Sequence, residues 1–251
     1  MASSLYAKSE RTMKPARRVR RTLWSVVILL ALIGIAVVVR RTINLIPILI
    51  TGYRPTAATS NPVAAQFAAL DDVFARYPVL TLIHIIPGAL FMVLGPLQFS
   101  ATIRARHLQW HRWNGRIYLI CSLIIGVSAL VMSFAMPAIG GLTQAVATTL
   151  FALLFLVALG KAYRHILRRE IALHREWMIR AFAIGLAVAT IRPVIGLFFA
   201  TSRLSGLTPD TFFGIAFWIG FVLHLIAAEV WIRWTRPMRL VATVPTAARL
   251  E

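Results

Sequence analysis

An all-α bundle of six membrane-spanning helices is the fold this 251-residue sequence predicts. Three observations predict it. Hydrophobic residues make up 59% of the chain, more than a soluble domain of this length needs. Apolar runs long enough to cross a hydrocarbon core of about 30 Å recur along it. The basic residues crowd onto alternate connections between those runs, as the positive-inside rule requires.

The runs fall at 22–39, 79–99, 117–136, 142–162, 177–199 and 211–232. The first follows a basic segment, like a signal peptide, but Val37-Val38-Val39-Arg40-Arg41 offers no small-residue cleavage site and the run is long for one. It is read as a retained helix. Six spans bring both termini to one side. The formal net charge is +19. Residues 1–21, 100–116, 161–180 and those after Ile232 together hold 21 of the 27 Lys and Arg. That asymmetry predicts that both termini are cytoplasmic. The charge therefore points to anionic lipid headgroups as partner, and no soluble basic and aromatic module suggests nucleic acid.

Residues 1–21 read as a basic cytoplasmic tail, 40–78 as an outer loop, 79–232 as a five-helix membrane core, and 233–251 as a second cytoplasmic tail. Within the loop, Asn61 and Pro62 are helix-start residues, and Val63, Phe67, Leu70, Phe74 and Tyr77 recur at helical spacing. A short amphipathic helix on the outer surface is expected, or alternatively a lid over an outer site. The single cysteine, Cys121, sits in an apolar run and excludes an intramolecular disulfide.

Six of the seven tryptophans (Trp24, Trp110, Trp113, Trp177, Trp231 and Trp234) mark the inner boundary, where they anchor helices at headgroup level. Histidines are the more informative residues, because imidazole enters lipid neutral and ligates metals and haem iron. At about 1.5 Å per residue, His84 lies near the outer side of its span and His224 nearer the inner side. Arg192 reaches the level of His84, and Arg180 that of Glu229, an expected structural ion pair. Pro87-Gly88 and Pro193 interrupt two spans beside His84 and Arg192, which favours an outer cavity. A second, inner group comprises His111, His174, Arg180 and Glu229, with His107 or His224. The two inner hairpins echo one another, "HRWNGRIY" from His111 and "HREWMIRAF" from His174, as duplicated hairpins would.

Together "LIHIIPGALFMVLGPLQFS", "HLQWHRWNGRIYL", "HREWMIRAFAI" and "TIRPVIG" resemble, over residues 79 to 230, the bacterial membrane-protein family catalogued as domain of unknown function 2306. The resemblance implies a multi-span inner-membrane protein and carries no activity. A weaker likeness, in helix count and intramembrane histidines, is to cytochrome b-type electron-transfer proteins.

The residue set suits a haem- or metal-binding redox protein, one that exchanges electrons with a quinone. His84, His224, His111 and His174 would ligate haem b, and Arg116, Arg180 and Arg192 would hold its propionates. His84 and His224 differ in depth by about 10 Å, which speaks against their ligating one haem together. A small-solute transporter or channel, and a non-catalytic assembly factor docked into a membrane complex, are the alternatives.

Overall fold

A computed structural model describes residues 2–52 and 71–236. Its helices are α1 (Ala2–Thr51), α2 (Pro78–Phe99), the short α3 (Ala101–Arg106), α4 (Leu108–Ala135), α5 (Gly141–Leu167), α6 (Ile171–Ser205) and α7 (Pro209–Thr235). Six of them are long and apolar enough to cross a membrane. The amphipathic segment expected from Asn61 onward lies outside the described residues, apart from its end, where residues 71–75 are helical.

The helices overrun the apolar runs. Hydropathy marks only the part of a helix inside lipid, whereas the backbone ladder propagates through flanking Arg, Trp and Ala at little cost. Thus α4 takes in "LQWHRWNG", and α1 takes in the segment read as a basic tail. His107 is the joint between α3 and α4, with φ −134° and ψ 61°, so it stands off the α4 face that carries His111. Gly206 ends α6 in the left-handed region at φ 66°, which a residue without Cβ adopts freely.

Helix α6 is the axis of the bundle. It packs on α1, α5 and α7, while α2 packs on α1 and α4, and α4 on α5. The remaining helix, α1, is the most peripheral and is little enclosed by protein. The core is aromatic. Phe91 stacks on Tyr118 at 4.9 Å and meets Phe182 at 5.7 Å and Phe155 at 6.0 Å. Two glycines make this layer possible. A Cβ on Gly185 of α6 would overlap the Phe91 ring of α2, and one on Gly95 of α2 would overlap the Phe182 ring of α6. Each helix thus plugs a ring into the other's glycine.

The end of the bundle rich in Arg and Trp is its basic end, and the opposite one is its far end. At the basic end α6 and α7 are clamped by charge. Arg236 donates two hydrogen bonds to Glu176, at 2.7 and 2.8 Å, and Arg175 donates to Thr235 at 2.8 Å.

Candidate functional site

Above the aromatic layer, toward the far end, all six spans wall a cavity of about 270 Å³. This is close to the lower limit for small-molecule sites. Most of its lining is apolar, with Phe91, Phe151, Phe155, Phe217, Met92 and Met132 prominent. Its charged groups are Arg41 and Arg192, and His84, Ser133, Gln144 and Thr148 add neutral polar groups.

His84 sits on α2 and faces α4, where its Nδ1 is 2.9 Å from Ser128 Oγ. That hydroxyl lies 2.6 Å from the Ile124 carbonyl, which can only accept. The serine proton therefore points to the carbonyl, and His84 Nδ1 must donate to the serine oxygen. This fixes the tautomer and leaves Nε2 with its lone pair, on a residue that lines the cavity.

Arg41 and Arg192 differ in their compensation. Arg41 is buried, pairs with Asp71 at 3.1 Å and stacks over Phe74 at 3.7 Å, but its Nη1 has no hydrogen-bond partner among the described residues. Arg40 takes the other face of Asp71 with two hydrogen bonds of 2.8 and 3.0 Å. Thr81 donates to the Phe74 carbonyl at 3.2 Å, so the segment carrying Asp71 and Phe74 is tied down across the far end of the cavity. Arg192, within electrostatic range of Arg41, makes no hydrogen bond or ion pair among the described residues. The acids are spent elsewhere. Asp71, Asp72, Glu170, Glu176 and Glu229 each pair with an arginine or histidine. Asp210 lies in the first turn of α7.

Backbone chemistry adds acceptors to the same walls. Pro96 in α2 and Pro193 in α6 lack the N–H that would bond the carbonyl four residues back. Those carbonyls belong to Met92 and Ala189, both cavity residues.

The other candidate residues lie apart from this cavity. His224 on α7 bonds through Nε2 to Thr190 Oγ1 of α6 at 2.7 Å, and it does not line the cavity that His84 lines. Arg116 is exposed at the basic end, 4.8 Å over the Trp113 ring. His174 Nδ1 donates to the Ala162 carbonyl at 2.8 Å. His111 lies within electrostatic range of His174 and Arg104, and its Nδ1 is buried with no hydrogen-bond partner among the described residues. Among the described residues no group of three or more His, Cys, Asp or Glu is placed to hold a metal. Haem b shared by His84 and His224 does not fit. One ring bonds to Ser128 of α4 and the other to Thr190 of α6, and only His84 lines the cavity.

Arg180 and Glu229 meet in two hydrogen bonds of 2.5 and 3.1 Å. The guanidinium also lies 4.5 Å over the Trp177 ring, whose other cation is Lys161 at 4.3 Å. Trp177, Arg180 and Glu229 thus form one clamp between α6 and α7. Glu229→Gln is expected to lower stability by about 2 kcal/mol, the worth of a charge-assisted hydrogen bond. Thermal unfolding in detergent checks this, and an unchanged midpoint would refute the clamp.

The model of a family described as predicted membrane protein (DUF2306) matches residues 81–232. The chain belongs to that family. Comparison with curated proteins and with solved structures returns no match. The DUF2306 region covers α2 to α7 almost entire and leaves out α1. It therefore holds His84, Arg192 and the aromatic layer, whereas Arg41 and its partner Asp71 lie before it. Sequence reading passed over Arg41, because a cation ending an apolar run looks like an ordinary boundary residue. The detectable signal was scarcity: Asp71-Asp72 is the only acidic pair near that boundary.

Proposed function

We propose that this DUF2306 protein is a membrane-embedded binding protein for a small anionic amphiphile. Its head sits on Arg192, with Arg41 and His84 beside it, and its apolar body lies among the Phe and Met side chains. The observation that carries this reading is Arg192. It is an intramembrane guanidinium on a cavity wall that makes no hydrogen bond or ion pair among the described residues, and Asp71, already shared by Arg40 and Arg41, acts on it only at longer range. A lone charge away from water is costly and usually marks a ligand or ion site. Arg41 has only a share of one carboxylate. A ligand carboxylate or phosphate supplies the missing charge, and the planar guanidinium suits either in a two-bond fork. The aromatic and methionine walls adapt to a flexible hydrocarbon. The positive-inside count favours a basic end that faces the cytoplasm, in keeping with residence in a bacterial inner membrane. The head site then lies toward the outer leaflet.

Trp218 supplies the readout. It is the one tryptophan remote from the basic end, and its ring meets Phe151 of the cavity wall at 5.8 Å. Dodecanoate titrated into the protein in mild detergent is expected to change Trp218 emission saturably, with Trp218→Phe as the blank. Dodecanol and dodecyltrimethylammonium are expected to act weakly. Equal responses to all three would show that the arginines select nothing and would refute the reading.

A redox variant draws on the His84 tautomer. Its free Nε2 can accept a proton from a quinol hydroxyl while Arg192 donates to the second oxygen. A short-chain quinone that competes with dodecanoate, and whose quinol is oxidised by ferricyanide faster with protein present, would favour that variant.

A further inference from the structure

Five helices bring a polar side chain to the cavity wall at one level. The floor of the cavity sets the reference. There a Cβ on Gly185 of α6 would overlap the Phe91 ring of α2, which meets Phe155 of α5 at 6.0 Å. A Cβ on Gly126 of α4 would stand 3.1 Å from Phe155, and one on Gly34 of α1 would stand 3.4 Å from Met92, the neighbour of Phe91. Seven residues toward the far end from Gly34, Phe91, Gly126, Phe155 and Gly185 come Arg41, His84, Ser133, Thr148 and Arg192 in turn. Seven residues are two turns, or about 10 Å of rise. All five of these polar residues line the cavity, so they form one tier.

The tier has two chemical halves. Arg41 and Arg192 can only donate, and Arg41 Nη1 has no hydrogen-bond partner among the described residues. Ser133 and Thr148 present oxygen lone pairs, because each hydroxyl proton is spent on its own helix. Ser133 donates to the Ala129 carbonyl at 3.0 Å and Thr148 to the Gln144 carbonyl at 2.9 Å. His84 adds a third acceptor through Nε2, since its Nδ1 donates to Ser128.

We infer that the ligand's head is a hydroxy acid, a carboxylate with a hydroxyl close by on its chain. Its anionic oxygens take the arginines, and its O–H donates to Ser133 or Thr148. This rests on the anionic-amphiphile reading and narrows it to a substrate class. A bare carboxylate has only lone pairs, so it cannot use the acceptors that α4 and α5 present. The second group of the head must therefore be a donor. An ammonium would donate as well, but two guanidinium groups at its own level repel it. A neutral hydroxyl meets no such cost. Level also fixes where the hydroxyl sits on the ligand. The acceptors stand at the height of the arginines, two turns above the Phe91 floor, so the hydroxyl belongs beside the carboxylate and not at the end of the chain. With the carboxylate held from α1 and α6, the hydroxyl from α4 and α5, and the chain by the aromatic floor, one hand of the carbinol carbon fits better than the other. A site built to hydrogen-bond a hydroxyl discriminates by the bond it loses.

The two enantiomers of 3-hydroxydodecanoate test this in the full-length protein, read by Trp218 emission. In an achiral detergent mirror-image acids partition identically, so any difference between them comes from the protein. One hand is expected to bind about 3- to 10-fold tighter than the other, the worth of a neutral hydrogen bond, and tighter than dodecanoate. 12-Hydroxydodecanoate is expected to gain nothing over dodecanoate. In the double variant Ser133→Ala/Thr148→Val the two hands are expected to converge, a comparison made within the variant and so independent of its overall affinity. Equal affinities for the two hands in the wild-type protein would overturn the hydroxy-acid head. If dodecanoate still bound selectively in that case, the anionic-amphiphile reading would stand without it. Hands that stayed unequal in the double variant would overturn the role of the two hydroxyls.

Discussion

Arg192→Met is expected to abolish saturable binding of dodecanoate. Truncating one partner of a buried charge pair costs about 2–5 kcal/mol, enough to move a micromolar ligand out of reach. The same substitution is expected to stabilise the ligand-free protein. Wild-type Arg192 holds a charge in a low-dielectric wall with no ion pair among the described residues, and methionine of similar length removes that penalty and keeps the volume. The gain should be roughly 1 kcal/mol or more by that argument. Arg41→Met provides the contrast. It also weakens binding, but it removes one of the two cations on Asp71 and the stack on Phe74. Its unfolding midpoint should therefore fall. Opposite signs for the two arginines, measured by ligand titration and thermal unfolding together, distinguish a ligand-waiting charge from a structural one. Arg192→Met with wild-type affinity would end the proposal. Arg192→Lys is expected to fall between, since an ammonium keeps the charge and loses the fork.

The spans were legible in the sequence because composition and length decide them almost without tertiary information. Their ends were less so. Trp110, His111 and Trp113 look interfacial, yet α4 already includes them, since a helix does not stop where lipid does. Depth along a helix could also be counted from the sequence, and it puts Arg180 level with Glu229 and His84 level with Arg192. What depth cannot give is azimuth. His84 and Arg192 share the cavity because α2 and α6 both turn those faces to it, while His224 turns to Thr190 within the α6–α7 seam. A one-residue change in helix rotation is about 100°, so side-chain partners across helices depend on packing. The same limit hid Asn114 and Tyr118. Inside "HRWNGRIY" they pass for boundary residues, and only burial singles them out.

Gly185→Ala is expected to be the most damaging methyl group that can be added to this protein's centre. Alanine is worth up to about 1 kcal/mol over glycine inside a helix, so propensity alone favours the change. Sterics oppose it. The new Cβ would occupy the space of the Phe91 ring. That ring is itself pinned between Tyr118, Phe155 and Phe182. Over-packing of this kind costs about 1–3 kcal/mol, and here the ring cannot swing into the cavity without leaving Tyr118. The net sign should be destabilising. Gly160→Ala is the internal control, because nothing stands within 4 Å of a Cβ there. It should cost nothing or stabilise. Specificity comes from size exchange. Phe91→Leu should partly rescue Gly185→Ala but not Gly95→Ala, which should instead respond to Phe182→Leu, since the two sockets hold different rings. Residues in direct contact couple by about 0.5–3 kcal/mol, within reach of unfolding measurements on the single and double variants. If Gly185→Ala proved as harmless as Gly160→Ala, the ring layer would have room to move. Phe91 could then not be the fixed floor of the ligand cavity.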